Sequence, residues 1–191
     1  MGDVATTERN RNALRSRRLI RDAYIALELS GRKAHYTVAD ICREADINRS
    51  TFYAHYDNFE DMRDKLFQQY LDGFAVWLRA ALADEFLRDP LPHLTTLGDY
   101  VEQNRSLLSA FLLGGVRSES GYGFGMAVRE ALLPVLGKVS TRRLLRFDLI
   151  CSALTSVYFT WFVGSYGDLS LAEVNEAAAR VIAASDPVER K

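Results

Sequence analysis

Between Thr37 and Tyr56 the sequence carries two helix starts, one stop and two apolar faces, which leaves the backbone few options. Thr37 is placed to cap a helix, with Asp40 three residues on as the reciprocal member of a capping box and as an acid in the positive first turn. Val38, Ile41, Cys42 and Ala45 follow at i, i+3, i+4 and i+7, one apolar helical face. The pattern stops at Ala45-Asp46-Ile47, where Asp46 can take the left-handed conformation of a tight turn. Asn48 then caps a second helix. In that helix Phe52 and Tyr56 fall at i and i+4 and are expected to face inward, while Arg49, Ser50, Tyr53 and His55 project elsewhere. All four of those outward residues can donate hydrogen bonds.

A helix, a turn of about three residues and a second helix with a donor-rich face is the helix-turn-helix arrangement that lays its second helix in a DNA major groove. Ordinary helical hairpins share the spacing, so the residue types carry the distinction. The run Thr-Val-Ala-Asp-Ile-Cys-Arg-Glu-Ala-Asp-Ile-Asn-Arg-Ser-Thr-Phe-Tyr-Ala-His-Tyr resembles the DNA-binding signature of the tetracycline-repressor (TetR) family of transcription regulators. The resemblance implies base contacts from Arg49, Ser50 and Thr51 and phosphate contacts from Tyr53 and His55. Thr37 and Asn48 complete the candidate DNA-binding set. The chain departs from the family pattern at Cys42, where alanine is common, at Asp46, where glycine is usual, and at Phe59, where a phosphate-binding lysine is common.

Away from this stretch, helical periodicity continues and nothing reads as strand. Residues 1–10 are polar and are expected to fray. From Arg11 to about Leu29 a helix carries Leu19, Ile20, Ala23, Tyr24 and Leu27 on one face, and Ser30-Gly31 stops it. It would cover the two short helices to give a three-helix unit.

Asp57-Asn58 supplies caps for a fourth helix running towards Phe86, which Asp89-Pro90-Leu91-Pro92 ends. Two further helices are separated near Gln103-Asn104-Arg105, and Gly114-Gly115 is expected to break the second. Gly121-Tyr122-Gly123-Phe124-Gly125 has neither a preceding strand nor a following Gly-Lys-Ser/Thr, so it reads as a plain loop, before another helix over Val128 to Val139. Thr141 to Tyr166 is the most apolar helix, uncharged from Leu149 onward; its hydroxyl residues and acidic flanks favour burial on both sides over a membrane span. Ser170 and Glu173 form a capping box for a last helix.

Composition limits the chemistry. Apolar residues make up 48% and charged residues 26% of the 191-residue chain, the balance of a globular protein. A net charge of -1 is unhelpful for binding a polyanion, but its distribution is uneven. Between positions 9 and 33, Arg9, Arg11, Arg15, Arg17, Arg18, Arg21, Arg32 and Lys33 oppose only Asp22 and Glu28. Cys42 and Cys151 lack any paired spacing, and the N-terminus lacks a secretory pattern, so cytoplasm is expected. His35, His55 and His93 are scattered and no nucleophile elbow occurs; no metal, cofactor or catalytic residue is assigned, and an enzyme is not expected.

The expectation is therefore an all-α chain, with a helix-turn-helix DNA-binding domain over 1–57 and a helical effector-binding and dimerisation domain over 58–191. The resemblance implies a repressor that binds a near-palindromic DNA operator as a homodimer and responds to an unknown small-molecule effector. Its candidate effector pocket comprises Tyr100, Phe111, Tyr122, Phe124, Tyr158 and Phe162. Ser152, Ser156, Thr160 and Gly164, spaced by four, and Ala177, Val181 and Ala184 on the last helix are the candidate dimer interface. The alternative is a helical protein–protein module whose helix-turn-helix no longer binds DNA.

Overall fold

A computed structural model describes residues 2–81, 86, 88–116, 129–130, 133–134, 137–162 and 164–184. Among them there is no strand. The helices are α1 (Gly2–Ser30), α2 (Val38–Glu44), α3 (Arg49–Tyr53), α4 (Phe59–Ala81), α5 (Pro90–Gln103), α6 (Arg105–Val116), α7 (Thr141–Phe162) and α8 (Leu171–Ala184). None is long and apolar enough to cross a membrane. The chain divides into two compact units, Met1–Gln69 with Arg105–Ser120, and Tyr70–Asn104 with Gly121–Lys191.

In the first unit, α1 packs on α2, α3 and α6. Ile20, Ala23, Tyr24 and Leu27 of α1 are buried with Ile41 of α2, Phe52 of α3, Met62 and Leu66 of α4, and Leu108 and Phe111 of α6. Tyr24 is the centre of an aromatic cluster, its ring 6.2 Å from Phe59 and 5.9 Å from Phe111, which in turn meets Phe67 edge-on at 5.3 Å. The Tyr24 hydroxyl donates to the Ala110 carbonyl at 3.5 Å, and burial pushes its pKa far above the ordinary phenol value. The two cysteines are free; Cys42 is buried and Cys151 half-buried.

Two expectations about α1 and α6 are corrected. Residues 2–10 are helical, continuous with the packed part of α1. Positions 3–30 contain neither glycine nor proline, and a nucleated helix extends at little cost per residue. In α6, Gly114 and Gly115 do not break the helix, which runs to Val116. A glycine costs about 1 kcal/mol in a helix interior, which packing of the rest of the helix can outweigh.

In the second unit, α8 packs on α5 and α7. Leu94, Leu97 and Val101 of α5 are buried, as are Leu154 and Tyr158 of α7 and Val174, Ala179 and Ile182 of α8. Polar groups inside are matched: the Tyr158 hydroxyl donates to Asn175 Oδ1 at 2.6 Å, and the Tyr100 hydroxyl to the Tyr70 carbonyl at 2.5 Å. Gly98 allows the α5–α8 approach, since a Cβ there would lie 2.7 Å from Asn175 Nδ2. The α8 capping box is present, with the Ser170 N–H and hydroxyl donating to Glu173 at 2.8 and 2.7 Å.

Further corrections concern the helix ends. Pro90 opens α5 at its first positions, where a missing N–H costs nothing, rather than only closing what precedes it. Helix α7 ends at Phe162, not Tyr166, because Gly164 and Gly167 take left-handed conformations at φ 77° and 64°. Nor is α7 buried all round: Leu145 is 59% and Leu149 64% exposed. Of the helix expected over Val128 to Val139, residues 129–130 and 133–134 are helical and 137–139 are not; the other positions, like the loop 121–125, lie outside the described residues.

Tyr56 differs from its matched counterparts. Its ring is buried beside Phe52 at 5.6 Å, and its hydroxyl is buried with no hydrogen-bond partner. An unsatisfied buried hydroxyl costs about 1–3 kcal/mol, and phenylalanine fills the same space without it. Tyr56→Phe is expected to raise the urea midpoint by an amount equivalent to about 1 kcal/mol or more; an unchanged or lower midpoint would show that the hydroxyl is satisfied in solution.

Candidate nucleic-acid interface

The expected caps form the frame of the α2–α3 stretch. The Thr37 side chain accepts from the Asp40 N–H at 3.3 Å, and Asp40 Oδ2 accepts the Thr37 N–H at 3.0 Å and the Thr37 hydroxyl at 2.9 Å. Asp46 is the described non-glycine residue with positive φ, 51°, so an aspartate performs the turn that glycine would make more easily. Asn48 Oδ1 accepts the Thr51 N–H and the Thr51 hydroxyl, both at 2.8 Å, and the Ser50 hydroxyl at 2.7 Å. One side-chain oxygen thus ties down the first turn of α3.

Helix α3 is only five residues long, and Tyr56 lies three residues beyond its end. Tyr56 still faces inward because its N–H and that of His55 both donate to the Phe52 carbonyl, at 3.1 and 2.9 Å. Phe52 is fully buried. Arg49 and Ser50 are exposed, Thr51 is half-buried, and Tyr53 is 53% exposed with its ring standing edge-on to Phe52. His55 is half-buried, and burial, with the Arg17 guanidinium as a smaller influence, holds its pKa below the ordinary imidazole value. It is therefore a neutral N–H donor near pH 7, not a cation.

Half-buried Phe59 turns its ring towards Tyr24. Lys65, farther along α4, places its ammonium 5.7 Å from the centre of the Tyr56 ring and pairs with Asp61 at 2.8 Å. Asp61 also accepts the Asp57 N–H at 3.0 Å, while Asn58 caps α4 by accepting from the Asp61 N–H at 2.8 Å.

The basic N-terminal third is less free than its sequence suggests. Lys33 donates to the buried Asp40 carboxylate at 2.6 Å, Arg43 approaches the same oxygen at 3.2 Å, and Arg32 lies 3.6 Å from Glu44. Arg21 pairs with Asp22 at 2.9 Å. The opposing acids Asp40 and Glu44 come from the next helix and were invisible to a count over positions 9–33. Arg11, Arg15, Arg17 and Arg18 are exposed and have no acidic partner among the residues whose side chains are described.

Scans against protein-family models, curated proteins and solved structures return no match to this chain.

The other candidate residues separate. Phe111 belongs to the first unit, against Tyr24 and Phe67, whereas Tyr100, Tyr158 and Phe162 belong to the second. Tyr122 and Phe124 lie outside the described residues. In α7, Ser152 and Ser156 are exposed, and half-buried Thr160 returns its hydroxyl to the Ser156 carbonyl at 2.8 Å. Gly164 lies in the turn beyond the helix, so the row of small residues is shorter than its spacing implied. Ala177, Val181 and Ala184 are exposed on α8, Val181 at 68%. The sequence reading missed exposed Leu145 and Leu149, which precede Ser152 and Ser156 at i, i+4, i+7 and i+11; that spacing was the available signal.

Hydrogen bonds from Lys33 and Thr37 hold the Asp40 carboxyl well below the usual carboxylate range. A depressed folded-state pKa stabilises the protein above the unfolded value, about 3.9 for aspartate, and the stabilisation disappears as pH falls through the folded value. The stability gap between wild type and Asp40→Asn is therefore expected at pH 7 and should narrow below about pH 4. Urea midpoints measured across that range check it; a pH-independent gap would mean that the lost charge is not its source.

Proposed function

We propose that the chain is a sequence-specific DNA-binding transcriptional regulator, a ligand-responsive repressor that binds a near-palindromic operator as a homodimer. The observation that carries this reading is α3: a capped, Phe52-anchored turn of helix that presents Arg49, Ser50 and Tyr53 outward behind a tight turn from α2. Such a helix enters the major groove by its N-terminal residues. Arg49 is then the base-reading side chain, since a guanidinium can donate twice to the O6 and N7 acceptors of guanine. Tyr53 and neutral His55 donate to phosphate, and Thr37, at the start of α2, supplies a further hydroxyl.

The homodimer is supported by α7 and α8 of the second unit, which leave Leu145, Leu149 and Val181 largely uncovered beside the small residues Ser152, Ser156, Ala177 and Ala184. Uncovered apolar groups with small neighbours allow close approach of a second backbone, and a two-fold pair sets half-sites one DNA turn, about 34–36 Å, or a multiple apart. An effector in the second unit would meet aromatic faces of Tyr100 and Tyr158, whose hydroxyls already donate internally. Its occupancy would shift operator affinity by a coupling free energy between the two sites.

The alternative, a protein-interaction module, draws support from Phe59, whose ring packs towards Tyr24 where the TetR pattern commonly has a phosphate-binding lysine. Binding to a random-sequence duplex at low salt separates the two readings, because phosphate neutralisation makes affinity fall steeply with salt. No binding would favour the module.

Arg49→Ala is expected to cost about 1–3 kcal/mol of operator binding and to relax preference at one position of each half-site selected from a random DNA pool. A loss spread equally over all sequences would assign Arg49 to phosphate. Val181→Arg places a charge at a position open to solvent in one chain, so it should leave helix content intact while converting the dimer to monomer in sedimentation and weakening operator binding. A variant that stays dimeric would exclude Val181 from the interface.

A further inference from the structure

Asn48 stands immediately before α3, and its residue type invites an assignment to adenine. An asparagine amide reads that base with both ends at once, its oxygen accepting from N6 and its nitrogen donating to N7. Here the oxygen is taken. Asn48 Oδ1 accepts the Thr51 N–H and the Thr51 hydroxyl, both at 2.8 Å, and the Ser50 hydroxyl at 2.7 Å. A backbone N–H needs an acceptor, so the network itself places the amide oxygen, not the nitrogen, on this side. A carbonyl oxygen carries two lone pairs, and three converging donors leave it no capacity for a base. Withdrawing it would also uncap α3.

The same bonds fix the polarity of Ser50, whose side chain is exposed. A hydroxyl has one hydrogen and two lone pairs, and this hydrogen is directed back at Asn48 Oδ1, so lone pairs are what Ser50 offers to a partner. In the major groove a lone pair is matched by the exocyclic amino groups, N4 of cytosine and N6 of adenine, whereas guanine O6 and thymine O4 are acceptors themselves. Phosphate oxygens are acceptors too, and the committed hydrogen disfavours them equally. By residue type Ser50 is one more donor on the outward face; the fold makes it an acceptor.

We propose that Ser50 is a specificity-determining residue that accepts from the amino edge of a cytosine or adenine beside the base read by Arg49, and that the Asn48 carbonyl is the positioning group that sets this polarity. The proposal rests on the DNA-binding reading and adds to it the chemical class of one base contact. Every base pair shows one amino edge and one keto edge in the major groove, so a preferred letter alone does not reveal which edge is touched. Deleting the exocyclic groups one at a time does.

The test selects duplexes from a random DNA pool with wild type and with Ser50→Ala, which removes the oxygen at a position where alanine favours the helix. One pair of each half-site should lose its preference in the variant, while the pair that depends on Arg49 keeps its own. That pair is then rebuilt in the selected duplex with a base analogue that lacks the amino group, and separately with one that lacks the keto oxygen of the opposite base. Loss of the amino group should weaken wild-type binding roughly two- to tenfold, the worth of one neutral hydrogen bond, and should not weaken Ser50→Ala further. Loss of the keto oxygen should affect both proteins equally. Asn48→Gly keeps most of the cap's stability and frees the Ser50 hydroxyl to donate, so it should relax the same pair. A keto effect that disappears in Ser50→Ala would show that Ser50 donates and would overturn the proposal. So would a Ser50→Ala variant that relaxes no pair or weakens all sequences alike, and an Asn48→Gly variant that keeps the full preference would remove Asn48 from its role. Those outcomes leave the Arg49 reading standing, whereas failure of wild type to enrich any sequence would overturn both.

Discussion

The outward face of α3 depends on the burial of Phe52. A five-residue helix has no stability of its own, because nucleation is unfavourable and too few hydrogen bonds follow it. Full burial of a phenylalanine is worth roughly 1.5–3 kcal/mol, and this one contact fixes which way Arg49, Ser50 and Tyr53 point. The Asn48 oxygen sets the start of the helix and the Phe52 carbonyl sets its exit, by accepting from His55 and Tyr56. Rotation of α3 about its axis would expose Phe52 and bury a guanidinium, so the core on one side determines the chemistry on the other.

Electrostatics in the first unit divides into structural and uncommitted charge. Lys33, Thr37 and Arg43 converge on Asp40, binding the loop after α1 to the start of α2, while the Tyr36 hydroxyl meets Ser30 at 3.1 Å and receives the Lys33 N–H at 3.2 Å. These groups define the path of the 31–36 loop. Among the described side chains, Arg11, Arg15, Arg17 and Arg18 have no such duty. A net charge near zero is therefore compatible with a locally strong positive field, and the local field governs encounter with a polyanion.

What was legible in the sequence was local. The Thr37–Asp40 box, the Asp46 turn, the Asn48 cap and the Ser170–Glu173 box each involve residues three or fewer positions apart, and each appears at its expected place. The break between α5 and α6 at Asn104 was equally visible. Features set at longer range were not. An apolar stripe on α6 announces burial, but not that its partner is α1. The hydrophobicity of α7 suggested enclosure, yet one chain covers only part of it: Phe147, Leu154 and Tyr158 are buried, while Leu145 and Leu149 face outward. Glycine pairs illustrate the same limit: Gly114-Gly115 continues a helix, whereas Gly164 and Gly167 turn the chain, and only packing decides between those outcomes. For the candidate site, residue identities and outward phase were readable, while the pairing of Arg32 and Lys33 with acids of α2 required the fold.

Polar burial in the second unit argues for a specific packing rather than a loose apolar bundle. Asn175 is nearly inaccessible, and its oxygen is satisfied by Tyr158 while its amide occupies the space left by the missing side chain of Gly98. Sliding α8 along α5 by one turn would separate both partners and leave two buried polar groups without hydrogen bonds, a penalty of about 1–3 kcal/mol each. The Tyr100 hydroxyl imposes a similar condition on the Tyr70 carbonyl, and a Cβ at Gly73 would overlap the Tyr100 ring. A ligand that entered among these rings could donate to their hydroxyls, but could not accept from them without breaking the bonds to Tyr70 and Asn175. A ligand that instead accepted from Tyr158 or Tyr100 would release α7 from α8 or α5 from α4, and that route would connect occupancy to a discrete rearrangement.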